Sequence, residues 1–142
     1  MTRDTTPSIT RINPPELGTP PGYSQVVDVS AGRIVFISGQ TALDRDGHVV
    51  GKHDFAAQAA QVFQNLGLAL QASGCTAANL VKLTVFLTDM DHLASYREVR
   101  NRFFDWATPR TTPAVTLVEL SKSRPLQRRE VAPPNDHVAV HH

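Results

Sequence analysis

The chain has 142 residues, enough for one domain, with 41% apolar and 19% charged side chains and a formal net charge of +1. That balance is the one expected of a soluble globular protein, and it offers no basic face of the kind nucleic-acid binding requires. Apolar runs such as Ile34 to Ile37 and Leu83 to Leu87 are too short to span a bilayer, no apolar leader opens the chain, and Cys75, the only cysteine, can form no intrachain disulfide. A cytoplasmic location without a membrane or nucleic-acid partner is therefore the expectation.

Residues 1–21 carry Pro7, Pro14, Pro15, Pro20 and Pro21 and read as an extended arm without a helix. Tyr23 to Ser30 alternates like a strand. Ala31-Gly32 then offers a tight turn into Arg33 to Ser38, so that the two segments read as a hairpin. Gly39 marks a place where the backbone bends or something approaches closely. Asp46-Gly47 predicts a second turn, ahead of a short strand near His48 to Val50.

Asp54 is a candidate helix N-cap. From it, Phe55, Ala59, Val62, Phe63, Leu66 and Leu70 form one apolar stripe of a five-turn helix, with Gln58, Gln61, Gln64 and Gln71 mostly off it. Ser73-Gly74 ends that helix, with Gly74 suited to the position just past its end. Leu80 to Leu87 is the strongest strand, with Val81, Leu83, Val85 and Leu87 on one face and Lys82, Thr84 and Phe86 on the other. A second helix is predicted from about His92 to Trp106, capped by Asp89 or Asp91, with Leu93, Tyr96, Val99 and Phe103 inward. Ala114 to Leu120 is a further strand. Leu126 to Ala132 reads as an exposed edge strand, and residues 133–142 as a loose tail.

Two helices cannot cover both faces of one mixed sheet, so the pattern is an α+β layer, not a doubly wound fold. The helices then share one sheet face, and Phe86 on the other argues for burial of that face in an oligomer.

No phosphate-binding glycine loop, nucleophile elbow or zinc-protease helix motif is present. His48, His53 and His92 have no partner at metal-ligand spacing, and His137, His141 and His142 lie near the chain end, so no metal site is expected. Cys75 has no adjacent cation to activate its thiol. Glu119 and Glu130 form an acid/base pair only if neighbouring strands bring them together.

Four segments have a further meaning when taken together: GYSQVVDV at 22–29, VFISGQTALDRDGHVVG at 35–51, AAQAAQVFQNLGLALQASG at 56–74 and NLVKLTVFLTDMDHLASYREVRNRFF at 79–104. In this order they resemble the RidA/YjgF family of reactive-intermediate deaminases. The resemblance implies a chorismate-mutase-like fold over residues 22–132 and a homotrimer whose sheets pack around the threefold axis, with small-metabolite clefts between subunits. Its deaminating members hydrolyse 2-imino or 2-enamino acids without metal or cofactor. Mapped by motif, Tyr23 stands at the family's cleft tyrosine, Ser38 and Gly39 in the cleft-lining segment, and Glu130 at the water-orienting glutamate. Phe86 is the remaining candidate for the cleft wall. Tyr23 reads equally as an ordinary strand tyrosine, and Gly39 as a bulge.

The chain departs from that pattern where the deaminating members carry an arginine in Pro-Ala-Arg-x-x-Val-Glu. Here residues 113–119 read PAVTLVE, and Val115 takes the arginine's place. A valine cannot make the bidentate grip on a carboxylate that a guanidinium makes. Arg97 and Arg110 are substitute cations on this reading, and Arg97 is otherwise a solvated helix residue. Two functions follow: a divergent imine or enamine hydrolase, or a trimer that binds a small neutral or apolar metabolite without deaminating it. A ribonuclease role draws no support, because neither a basic stripe nor a histidine pair for phosphodiester chemistry is present.

Overall fold

In a computed structural model of the chain, the described residues are 6–104, 112–121 and 139–141. Strand β1 (Ser8–Ile12) pairs antiparallel with β2 (Val26–Ser30) as a two-stranded sheet. Helix α1 (Phe55–Ala72), strand β3 (Lys82–Leu87), helix α2 (Leu93–Phe103), strand β4 (Ala114–Glu119) and strand β5 (Ala139–His141) follow. A second sheet has β3 in its centre, parallel to β4 and antiparallel to β5. Parallel neighbours need a crossover between them, and α2 supplies it. Among the described residues no helix is long and apolar enough to cross a membrane.

The core forms where both helices meet β3. Leu83, Val85 and Leu87 are fully buried. They pack with Ala59, Val62, Phe63 and Leu66 of α1 and with Tyr96 and Val99 of α2. Phe63 sits between the helices and the loop after α2, with ring centroids 5.2 Å from Phe103 and 5.9 Å from Phe104. Both helices thus lie on one face of the sheet, as the pattern predicts.

Helix α1 starts and stops on local chemistry. The Asp54 side chain accepts the Ala57 amide at 3.1 Å, satisfying a donor that the first turn leaves open. At the other end the Gly74 amide donates to Gln71 O at 3.0 Å and Cys75 to Leu70 O at 2.8 Å, a Schellman closure with Gly74 at φ 74. Gln58 departs from expectation. Rather than lying off the stripe it is 1% exposed, because its Nε2 donates to Gly51 O at 2.8 Å and closes the loop ahead of the helix. Gln61 and Asn65 fasten the preceding segment from outside, with Asn65 Nδ2 donating to Thr41 O and Leu43 O at 3.0 and 2.8 Å.

Several elements differ from the sequence expectation. The segment before residue 22 supplies β1 and a 3-10 turn at Pro15–Leu17, since strand pairing is open to any extended stretch whose partner arrives from elsewhere. Ala31 and Gly32 do turn, at φ 59 and 112, but Arg33 to Ser38 forms no strand ladder with β2. Its alternation survives without the ladder: Ile34 and Phe36 are 74% and 83% exposed, while Ile37 packs against the core. The short strand near residue 49 is a single bridge from Leu43 to Val49. The segment read as a loose tail carries β5, whose Val140 stands opposite Val85. The predicted strand at 126–132 and the end of the second helix at Trp106 lie outside the described residues.

Gly51 is the least replaceable backbone position here. It has φ +69, and a Cβ added to it would stand 2.8–2.9 Å from Ala57 Cβ, Asp54 O and Gln58 N. Gly51→Ala is expected to cost about 2 kcal/mol or more, read as a lower urea midpoint at unchanged slope; an unaltered midpoint would overturn this account of the loop. A second expectation concerns Tyr96, which is 1% exposed with a hydroxyl that has no hydrogen-bond partner among the described residues. Burial pushes this phenol up to about 12, with the nearby Arg100 and Arg97 charges opposing the shift. A phenol raised in the folded state contributes stability that is present below its unfolded value and lost as pH climbs through the folded one. Stability should therefore fall between about pH 10 and 12 by about 2–3 kcal/mol. Tyr96→Phe should keep its neutral-pH stability and lose part of that alkaline decline.

Candidate functional site

Three stretches far apart in sequence converge at the entry to β2. Gly22 turns the chain at φ 76, and half-buried Tyr23 follows it. Ser24, 1% exposed, then ties this point to the lead-in of β4. Its amide donates to Pro113 O at 2.9 Å, and its hydroxyl lies 2.8 Å from both the carbonyl and the hydroxyl oxygen of Thr112. A serine hydroxyl carries one proton, so these contacts are satisfied together when it donates to the carbonyl and accepts from Thr112. The tie brings the residue after Tyr23 onto Thr112 and Pro113, just ahead of Val115, two segments that sequence alone could associate only through a motif.

Arg11 completes the cluster. Burial alternates along β1, putting Ile9 and Arg11 on its half-buried side. Arg11 Nε donates to Thr112 O at 2.9 Å and Nη2 to Ala78 O at 3.3 Å. Among the described residues no carboxylate stands within ion-pair distance of it, and burial alone lowers its pKa. A guanidinium stays charged through such a shift, so the junction holds a cation that no anion among the described residues neutralises. Sequence reasoning passed over Arg11 because the proline-rich segment around it reads as an arm. The usable signal was its place two residues from Ile9 in SITRI, a basic residue on the inward side of an alternating stretch.

The other sequence candidates are spread more widely. Ser38 and Gly39 are exposed, and Ser38 O accepts from Gln40 Nε2 at 2.9 Å. Val115 stands opposite Leu83 across the parallel ladder and packs against the core, on the helix-covered face. Phe86 is half-buried on the reverse face, opposite Val118. Arg97 is exposed on α2, and its charge is felt by Tyr96 and Arg100. Its neighbour Arg100, 9% exposed, is the buried arginine of that helix, with its guanidinium 5.9 Å from the Tyr96 ring centroid. Glu130 and Arg110 lie outside the described residues.

One ligand-like grouping was not expected from spacing. Asp44, Asp46 and His48 bring their ligand atoms within 4.8 Å of one another. The turn itself accounts for this, since Asp44 Oδ1 accepts from the Asp46 and His48 amides at 2.9 Å each. Those two bonds hold the Asp44 carboxyl below the usual range. The group is a turn scaffold.

With this geometry in hand, the comparisons with known proteins agree. The sequence profile of the Endoribonuclease L-PSP family matches residues 16–131. A RutC family protein of Synechocystis sp. is 39% identical over 101 residues, which are 70% of this chain and 74% of the relative. The mouse (Mus musculus) 2-iminobutanoate/2-iminopropanoate deaminase is 37% identical over 87 residues, 61% of this chain and 63% of the mouse protein. The crystal structure of the Rid family protein YyfB from Yersinia pestis superposes with a TM-score of 0.72 at 24% identity, covering 93% of this chain and 94% of that one. The fold of two helices over one face of a mixed sheet, the tyrosine-bearing entry to β2 and a profile match along most of the chain together place this protein in the RidA/YjgF family, the family that carries the Endoribonuclease L-PSP name.

Proposed function

We propose that the protein hydrolyses a small 2-imino or 2-enamino carboxylate, in clefts completed by neighbouring subunits of a homotrimer. The observation that carries this reading is Arg11: a half-buried guanidinium without a carboxylate partner among the described residues, bonded to the same Thr112 that holds Ser24, the residue after Tyr23. On this reading Arg11 takes over the carboxylate grip that Val115 cannot make, and approaches from β1 rather than β4. Arg97, exposed on α2, is the less favoured substitute because water screens its charge.

The chemistry asks little beyond positioning. A protonated imine is already electrophilic, so no metal or cofactor enters the reading. Water adds to the imine carbon, giving a carbinolamine. Its carbon–nitrogen bond then breaks and nitrogen leaves as ammonia, while the hydroxyl proton is passed on and a 2-oxo acid remains. The protein's share is to hold the carboxylate, to orient the water through Tyr23 and, as the family pattern implies, Glu130, and to line the cleft with Ser38, Gly39 and Phe86. The name of the mouse relative supports the substrate class. The trimer is supported by the reverse sheet face, where Phe86 is half-buried and Val118 is 39% exposed.

A second reading, a trimer that binds a neutral metabolite without hydrolysis, draws on the sequence: position 115 carries a valine where the family pattern has its carboxylate-gripping arginine.

Ammonia release from imines generated in situ by an amino-acid oxidase separates the two. Wild type should accelerate release, and Arg11→Gln should lower kcat/KM at least tenfold, roughly the loss of one charge-assisted pair. Full activity in a folded Arg11→Gln would remove Arg11 from the site, and an inert wild type would move the protein to the binding reading. Light scattering should give about three times the 15.5 kDa chain mass, and a monomer would abolish the intersubunit cleft.

A further inference from the structure

Ser24 is 1% exposed, so its hydroxyl lies out of a substrate's reach and acts only through the protein atoms it meets. Those atoms lie on one short stretch. Its amide donates to Pro113 O at 2.9 Å and its hydroxyl to Thr112 O at 2.8 Å, so a single residue engages two successive carbonyls ahead of β4. The Thr112 hydroxyl, also 2.8 Å away, donates back to the Ser24 oxygen, and this fixes where the Ser24 proton points.

The Thr112 carbonyl is shared. Its oxygen has two lone pairs, and Arg11 Nε takes the second at 2.9 Å. Arg11 stands opposite Val27 of β2, so it and Ser24 belong to the same two-stranded sheet. One sheet therefore grips a single carbonyl of the other sheet's lead-in with two donors. A long arginine side chain loses much rotamer freedom when its head is held, and a fixed acceptor is what makes one orientation of the fork prevail. With Nε on Thr112 O and Nη2 on Ala78 O at 3.3 Å, two of the five guanidinium donors are used among the described residues. The other three lie on Nη1 and Nη2, the two nitrogens that can meet a carboxylate side by side.

We infer that Ser24 is a positioning residue for substrate binding: its hydroxyl holds the Thr112 carbonyl in the direction that Arg11 Nε needs, and so aims Nη1 and Nη2 at the substrate carboxylate. This rests on the reading of Arg11 as the carboxylate grip. The role belongs to binding rather than to bond breaking, because the carboxylate keeps its charge throughout the hydrolysis and is gripped alike in ground and transition states. Removing the hydroxyl then raises KM and leaves kcat nearly alone, the signature of uniform binding. The Ser24 amide bond to Pro113 O is backbone and survives a side-chain substitution, so the sheets stay joined while the Thr112 carbonyl is freed to turn.

A double-mutant cycle of Ser24→Ala and Arg11→Gln in the full chain tests this. It is read in imine hydrolysis and in the nuclear magnetic resonance signal of Arg11 Nε–H, assigned by its loss in Arg11→Gln. Ser24→Ala should raise KM about fivefold, the scale of one neutral hydrogen bond, with kcat within about twofold. Placed on Arg11→Gln it should change kcat/KM by less than about twofold, since no guanidinium is left to aim. The Nε–H signal should shift and exchange faster with water in Ser24→Ala. Ser24→Thr, which keeps the hydroxyl, should restore much of both that signal and KM. Ser24→Cys keeps the volume with a weaker donor, and the same split is expected of it should Ser24→Ala not fold. A KM effect that is equal with and without Arg11, a fall in kcat at unchanged KM, or an unmoved Nε–H signal would each overturn the positioning role. An inert wild type whose Nε–H still answers to Ser24 would remove the hydrolysis reading while sustaining Ser24's hold on Arg11.

Discussion

Burial of three alternate residues of β3 under two helices is the constraint on which the rest depends. Leu83, Val85 and Leu87 are wholly removed from water, and a strand has period two, so Lys82, Thr84 and Phe86 must face the other way. Each large side chain buried in this layer contributes roughly 1.5–3 kcal/mol. A one-residue slip of β3 would bring a lysine into the core and expose three aliphatic side chains, so register is strongly specified. The parallel partner β4 inherits that register, with Val115 opposite Leu83 and Leu117 opposite Val85.

The function-bearing parts hang on this layer through polar ties rather than through more core. Ser24 and Arg11 both bond to Thr112, so the β1–β2 sheet is fastened to the chain just before β4 enters the central sheet. Backbone carbonyls buried at such a crossing need donors, and a guanidinium and a hydroxyl supply them. That structural duty also concentrates positive charge at the junction with no acid beside it among the described residues. The same combination of packing and charge recurs at Lys82, whose ammonium is half-buried and donates to Thr116 and to Leu83 O. Among the described residues neither Arg11 nor Lys82 has an ion-pair partner, and this separates them from the surface pair Arg102–Glu98, at 2.9 Å and well exposed.

The two helices show how local and nonlocal information divide. The limits of α1 were legible because they rest on Asp54, Ser73 and Gly74, residues whose chemistry acts within a few positions. Its stripe was legible except for Gln58, which a polar side chain's periodicity cannot distinguish from a solvated one. Only the presence of Gly51 O at hydrogen-bond distance makes burial tolerable there. The hairpin expected at residues 23–38 failed for a related reason. The Ala31-Gly32 turn is local and formed, but which strand lies beside β2 is a question of long-range pairing, and β1 took that place.

The residues themselves determined that this is an α+β chain with two amphipathic helices and one strongly alternating strand. They also determined the resemblance through ordered segments from Gly22 to Phe104, and the absence of an arginine at position 115. Each of these is written in composition, short-range periodicity or motif order. Tertiary structure alone decided that Val115 faces the helix-covered core, that Arg97 remains in solvent, and that Arg11, from a segment read as an arm, stands next to Tyr23's neighbour. It alone also decided that residues 139–141 add a strand beside β3. The physical reason is the same in each case. A side chain's neighbours across a sheet or between sheets are set by which elements bury one another, and no periodicity within a single element carries that information.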